Sequence, residues 1–242
     1  MLSARGLTKS FDDQTVLRGI DLDIAPGTIT CAIGPSGAGK TTLLRALGLL
    51  DYPDGGSISL DGMGYDFPRE PALPFMPSPW PTLTCVFQSL FLWPHLTLRE
   101  NIMLPARNCN PQAEKDIEGL IALFEMAGFI DHYPNQASIG QRQRAALARA
   151  LILNPSYILL DEITSALDVE QTARILTKLG HLKERNIGIF LITHQIGFAR
   201  RMADQVVFMD GGVITEKGDP DILFHPKTAR LQQFLSTVEM VY

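Results

Sequence analysis

The eight residues GPSGAGKT, Gly34 to Thr41, constrain this chain more than any other stretch. They match G-x-x-x-x-G-K-[ST] in full. Small residues let consecutive backbone N–H groups turn inward around phosphate oxygens. A helix that starts around Lys40 aims its positive dipole end at the same anion. Lys40 would neutralise charge between the β- and γ-phosphates, and the Thr41 hydroxyl is a hard oxygen donor for Mg²⁺. Such a loop needs a buried strand before it and a helix after it. The run TITCAI (Thr28–Ile33) and the helically spaced KTTLLRALGLL meet that need.

The rest of the chain extends this pattern. TVLRGIDLDI (Thr15–Ile24) alternates apolar and polar residues as a half-buried strand does, Pro26-Gly27 is a turn, and GGSISLDG and LTCVFQ read as strands. Thr97 to about Leu153 has helical spacing. Strands follow at Tyr157–Leu160, Ile187–Ile192 and Gln205–Met209, with helices at about Val169–Arg185 and Ile196–Met202, and a hairpin through DGG. Strands alternating with helices predict a parallel sheet with helices on its faces. The helix-rich stretch between Gln88 and the Tyr157 strand reads as a subdomain. Six prolines between residues 68 and 81 exclude a helix or central strand there, and a surface loop is expected.

YILLDE (Tyr157–Glu162) is an apolar strand ending in two acids, the place where an α/β sheet delivers ligand chemistry. Asp161 would hold Mg²⁺ through water, and Glu162 could polarise an attacking water as general base. The plainer reading is that both acids cap the following turn.

Composition narrows the function. A net charge of −5 argues against nucleic acid as the main partner, since phosphate backbones require clustered Lys and Arg. Cys31, Cys85 and Cys109 form no CxxC pair, so neither a disulfide framework nor a zinc site is expected, and a reducing compartment fits. The amino terminus, MLSARGLTKSF, has no apolar run of signal-peptide length, and no window approaches the ~18 apolar residues of a membrane span. Any membrane part is expected from a partner.

Taken in order, the motifs resemble the ATP-binding cassette (ABC) ATPase family over nearly the whole chain. They are the phosphate loop GPSGAGKTT, a glutamine loop VFQ (Val86–Gln88), a signature ASIGQRQR (Ala137–Arg144), ILLDE, a D-loop SALD (Ser165–Asp168) and ITH (Ile192–His194). No N-K-x-D guanine reader is present. The resemblance implies an α/β, P-loop NTPase (RecA-like) core with a mostly parallel sheet, an antiparallel β subdomain and a helical signature subdomain. Residues 1–88 and 155–242 would form the nucleotide-binding core with the β subdomain, and 89–154 the helical subdomain, all within one ABC ATPase domain.

The same resemblance implies roles. Gly34, Pro35, Ser36, Gly37, Ala38, Gly39, Lys40, Thr41 and Thr42 would hold the phosphates of ATP. Phe11 would stack on adenine with Val16 nearby, although a phenylalanine is usually buried. Thr41, Gln88 and Asp161 would serve Mg²⁺, and Glu162, His194, Lys40 and Gln88 would form the catalytic set. Ser138, Gly140, Gln141 and Asp168 would line the seam with a second copy, because family members pair head to tail with each ATP between a phosphate loop and the opposite signature.

Two departures stand out against the family pattern. The usual signature is L-S-G-G-Q, and here Ala137 replaces the leucine and Ile139 the first glycine. Helical dihedrals at 139 would tolerate it, whereas left-handed ones would cost about 1–3 kcal/mol. Ser138 with Gln141 also fits an S-x-x-Q capping box. Weakened but real hydrolysis is expected. The second departure is Ile163, which stands where proline is usual.

With one cassette and no span, the expected assembly is a homodimer beneath two transmembrane permease subunits, indirectly served by a solute-binding protein. The location implied is cytoplasmic, peripheral on the inner face of the membrane. PHLT, REN and the closing RLQQFLSTV resemble importers of polar amino acids. Phe91, Leu92 and Trp93 would build the groove that receives a permease helix, or would instead be subdomain core. An exporter ATPase, or a soluble ATP switch with weak hydrolysis, stays open.

Overall fold

Short, wholly apolar runs form the middle of the fold. The computed structural model describes residues 1–68, 76–163 and 169–241. The chain begins with β1 (Leu2–Phe11), β2 (Gln14–Ile24), β3 (Ile29–Ile33), α1 (Lys40–Leu47), β4 (Gly55–Leu60), β5 (Met63–Phe67) and β6 (Leu83–Val86). It continues with α2 (Leu98–Ala106), α3 (Ala113–Leu123), α4 (Ile139–Leu151), β7 (Tyr157–Asp161), α5 (Val169–Glu184) and β8 (Gly188–Ile192). It closes with α6 (Ile196–Met202), β9 (Gln205–Asp210), β10 (Val213–Gly218) and α7 (Ala229–Val241).

A six-stranded sheet has the order β10-β9-β3-β8-β7-β6, parallel throughout except for the antiparallel β10 edge. Every residue of β3, β7 and β8 is buried, as expected for parallel strands covered on both faces. Alternate side chains feed two cores. Ile158, Leu160, Ile189 and Leu191 join Leu98, Ile117 and Leu147 of the helices. Leu159, Phe190 and Ile192 face the other way, against Leu2, Ile20 and Ile58 of an antiparallel sheet ordered β2-β1-β4-β5. The expected α/β architecture with its antiparallel and helical additions is therefore present.

Differences from the sequence reading have local causes. The helical stretch from Thr97 divides into three helices. Asn110-Pro111 follows the first, and Glu125 at φ +52 follows the second. A 3₁₀ turn at Pro134–Gln136 precedes the third. α1 stops at Leu47, because Leu49 adopts φ +53. β1, β5 and α7 were not anticipated. Of the proline-rich stretch, 76–81 carries no strand or helix, and 69–75 lies outside the described residues. SALD, with Asp168, also lies outside them.

Candidate functional site

Four neighbouring strands deliver the expected site residues to one edge of the parallel sheet. β3 leads into Gly34, β6 into Phe87 and Gln88, β7 ends at Asp161, and β8 leads into Thr193 and His194. Their ends are in register: Val86 lies opposite Leu160, Asp161 opposite Ile192, and Ile192 opposite Ala32. This is the carboxyl edge, where open α/β sheets bind ligands.

The loop after β3 has the build of an anion cradle. Gly34 has φ +144, and a Cβ there would meet the Met209 carbonyl oxygen at 2.1 Å. Gly39 has φ +94 and precedes α1 with no side-chain cap, and no acid sits in the first turn of that helix. Its first N–H groups thus lack the partners that usually satisfy a helix start. Ser36 and Gly37 are exposed, and nothing lies within 4 Å of a Cβ built on Gly37. Ala38 is buried, while Pro35 and Thr42 are half-buried.

Lys40, only 6% exposed, donates to Gly34 O at 2.8 Å and Pro35 O at 2.9 Å. Burial pulls its pKa down, against the raising effect of the Glu162 and Asp161 charges. Val16, half-buried, packs beside the loop: its carbonyl lies 3.1 Å from a Cβ built on Gly39. Phe11 is exposed at the end of β1 with the Lys9 amine 5.4 Å from its ring centre, so it is not a core phenylalanine.

Oxygen donors face the loop. The Thr41 hydroxyl donates to Asp161 Oδ1 at 3.2 Å. Asp161 is buried, and burial pushes its carboxyl above the usual range despite that hydrogen bond. Glu162 follows at φ +48, a strained value for a residue with a side chain. Its carboxylate lies 2.6 Å from Nε2 of His194. Gln88 is exposed just past β6. Among the described residues no cluster of three or more His, Cys, Asp or Glu forms a closed metal cage. A hydroxyl beside a carboxylate instead suits Mg²⁺ that takes its other oxygens from phosphate and water.

Sequence reading passed over Thr193. It is buried, and its hydroxyl accepts the Gln195 N–H at 2.9 Å, fixing the turn that carries His194. The available signal was a hydroxyl residue directly after an apolar strand.

The signature stretch starts α4. Ser138 is its N-cap: the hydroxyl accepts Gln141 N–H at 3.3 Å, and Gln141 Oε1 accepts Ser138 N–H at 2.8 Å. Gly140 is buried. Ile139 is the first helical residue, 40% exposed and outside the left-handed region, so the strain considered for it is absent. Phe91 and Trp93 are exposed, not core, while Leu92 packs partly against the helical core. Nearby, a cleft of about 410 Å³ is lined by Leu50, Trp80, Thr84, Phe87, Pro105 and Arg149, among others. The buried Thr84 hydroxyl in its wall has no hydrogen-bond partner among the described residues. No helix among the described residues is long and apolar enough to cross a membrane.

A profile of the family described as ABC transporter matches residues 17–165. The chain is 39% identical over 246 residues to the arginine transport ATP-binding protein ArtM of Bacillus subtilis (strain 168), covering 98% of this chain and 100% of that protein. It is also 39% identical over 243 residues to the glutamine transport ATP-binding protein GlnQ of Escherichia coli (strain K12), covering 98% and 100%. Among solved structures it resembles the dimeric post-hydrolysis state of the ATP-binding cassette MJ0796 bound to ADP and Pi. The TM-score is 0.79 at 29% identity, covering 91% of this chain and 99% of that one.

Proposed function

Because the chain belongs to the ABC transporter family, we propose that it is the ATP-hydrolysing subunit of a multi-chain importer of polar amino acids. The observation that carries the catalytic part is the convergence of Lys40, the Thr41–Asp161 pair and the Glu162–His194 pair on one sheet edge. The transport part rests on relatives named for arginine, glutamine and cystine transport at similar identity and nearly full coverage.

In this reading the loop N–H groups and Lys40 bind the triphosphate, while Phe11 and Val16 flank the base. Thr41, Asp161 and Gln88 would hold Mg²⁺, which when bound neutralises phosphate charge. Glu162 takes a proton from the attacking water, and His194, held against it, fixes the carboxylate and faces the γ-phosphate. Water adds to the terminal phosphorus as the bond to the bridging oxygen breaks, giving ADP and phosphate. Ser138, Gly140, Gln141 and Asp168 serve the ATP of a second copy, the Ser138 hydroxyl, an acceptor in its capping bond, donating its proton to a phosphate oxygen.

The chain acts as a homodimer with membrane permease subunits. We place it on the cytoplasmic face, with Phe91 and Trp93 against the permease and a solute-binding protein feeding the permease from outside. Steady-state hydrolysis by the purified chain is the primary test. Glu162→Gln should lower turnover by about 10²–10⁴-fold while keeping MgATP affinity. Equal turnover in the two proteins overturns the assignment of Glu162. Uptake of labelled arginine, glutamine and cystine by cells lacking and then regaining the chain tests the solute class; unchanged uptake of all three overturns it.

A further inference from the structure

Arg149 belongs to none of the motifs that frame the site. It sits in the last turn of α4, about 15 Å along the axis from Ile139 at the usual rise per residue. Its guanidinium donates to two consecutive carbonyls, Leu90 O at 2.6 Å and Phe91 O at 2.7 Å. Burial pulls its pKa below the ordinary arginine range. A planar fork of N–H groups suits paired carbonyls in a way that a lysine's compact ammonium does not.

The turn it grips begins two residues past Gln88. Phe91 adopts φ +47, a conformation that side chains disfavour and that persists only when the surroundings fix it. Arg149 holds this turn from α4. Buried Asn101 of α2 holds the far end, accepting Trp93 N–H at 2.7 Å and donating to Trp93 O at 3.1 Å. Between these ties the Phe91 ring meets the Phe87 ring edge-on at 6.0 Å and remains 68% exposed. The segment after Gln88 is thus bound to the helix that Ser138 opens.

We propose that Arg149 is a positioning residue that fastens the segment after Gln88 to the signature helix, so that the two respond to nucleotide as one body. This rests on the reading that Gln88 and the Ser138–Gln141 turn serve ATP. It identifies the far end of α4, remote from its amino terminus, as the point where the nucleotide state reaches the exposed aromatic edge.

Hydrogen exchange of peptides spanning 88–93 and 138–151 tests the link, comparing MgADP with a magnesium complex of a non-hydrolysable ATP analogue. In the parent, both peptides should change protection together. In Arg149→Ala, the 138–151 peptide should keep its response. The 88–93 peptide should exchange about tenfold faster in both nucleotide states and lose its response, with nucleotide affinity within about threefold of the parent. Arg149→Lys should recover part of the loop response, and it carries the same comparison if the alanine variant does not fold. A loop that follows nucleotide in the variants as in the parent overturns the proposal. So does a loss confined to thermal stability while loop and helix still respond together. No response in the parent itself overturns the ATP reading beneath it, which keeps the two failures apart.

Discussion

Ile139 illustrates how one backbone angle decides the meaning of a substitution. The residue occupies the first helical position after the Ser138 cap, where a β-branched side chain pointing to solvent is tolerated. Glycine there would restore the usual glycine pair but add backbone freedom to the unfolded chain. Ile139→Gly is expected to lower stability by about 0.5–1 kcal/mol and to leave turnover per site within about threefold. Chemical denaturation and saturating-MgATP kinetics check the two halves. A rise in turnover of tenfold or more would show that the isoleucine obstructs the partner's phosphate. Most of the candidate site was legible at this scale, because phosphate and metal chemistry demand fixed residue types at fixed spacing. Lys40, Thr41, Asp161 and Glu162 announced themselves in that way. Arg149 and Thr193 did not, since a helical arginine and a strand-end threonine look ordinary until their hydrogen-bond partners, distant or local, are known.

At the scale of elements, β3 carries a buried thiol and β6 a half-buried one. Cys31 is pushed up to about 12 by burial, aided by the charge of Asp204. Cys85 is pushed up to about 12 by burial, opposed in part by Arg45. Both folded values exceed the ordinary value of 9.0, so the fold favours the neutral thiol. That contribution is complete below the unfolded value and is lost as pH rises toward 12, because the unfolded thiols ionise first. Urea midpoints should therefore fall from about pH 8.5 to 11, with a shallower fall in a Cys31→Ala, Cys85→Ala double variant. An identical slope in both proteins would refute it. Elements with one plain pattern were readable from sequence: the alternation of β2, the unbroken apolar runs of β7 and β8, and the helical spacing of α6. β1 escaped because Gly6 and register shifts against β2 blur its alternation. β5 is a five-residue edge strand containing Gly64 and Asp66, too short and too polar to declare itself. The breaks between α2, α3 and α4 were marked in part by Pro111 and Pro134, whereas the left-handed Glu125 that follows α3 gives no such sign.

For the whole molecule, the strand-end groups share one stiff sheet, while Ser138 opens a helix in the other layer. On the proposed reading each copy holds half of two sites, so hydrolysis is a property of pairs. Specific activity should rise with protein concentration and level off as pairs saturate. Light scattering with MgATP on Glu162→Gln should approach twice the 26.7 kDa mass of one chain. Activity per chain that is constant across about a hundredfold range of dilution, with scattering fixed at one chain, would overturn this. The hydrogen bonds of Lys40 bear on what such a pair accepts. Its amine lies on two carbonyls of its own loop, so an arriving guest trades places with existing dipoles and does not enter a void. A cation held in that way favours multiply charged anions over singly charged ones, because the attraction grows with the guest's charge.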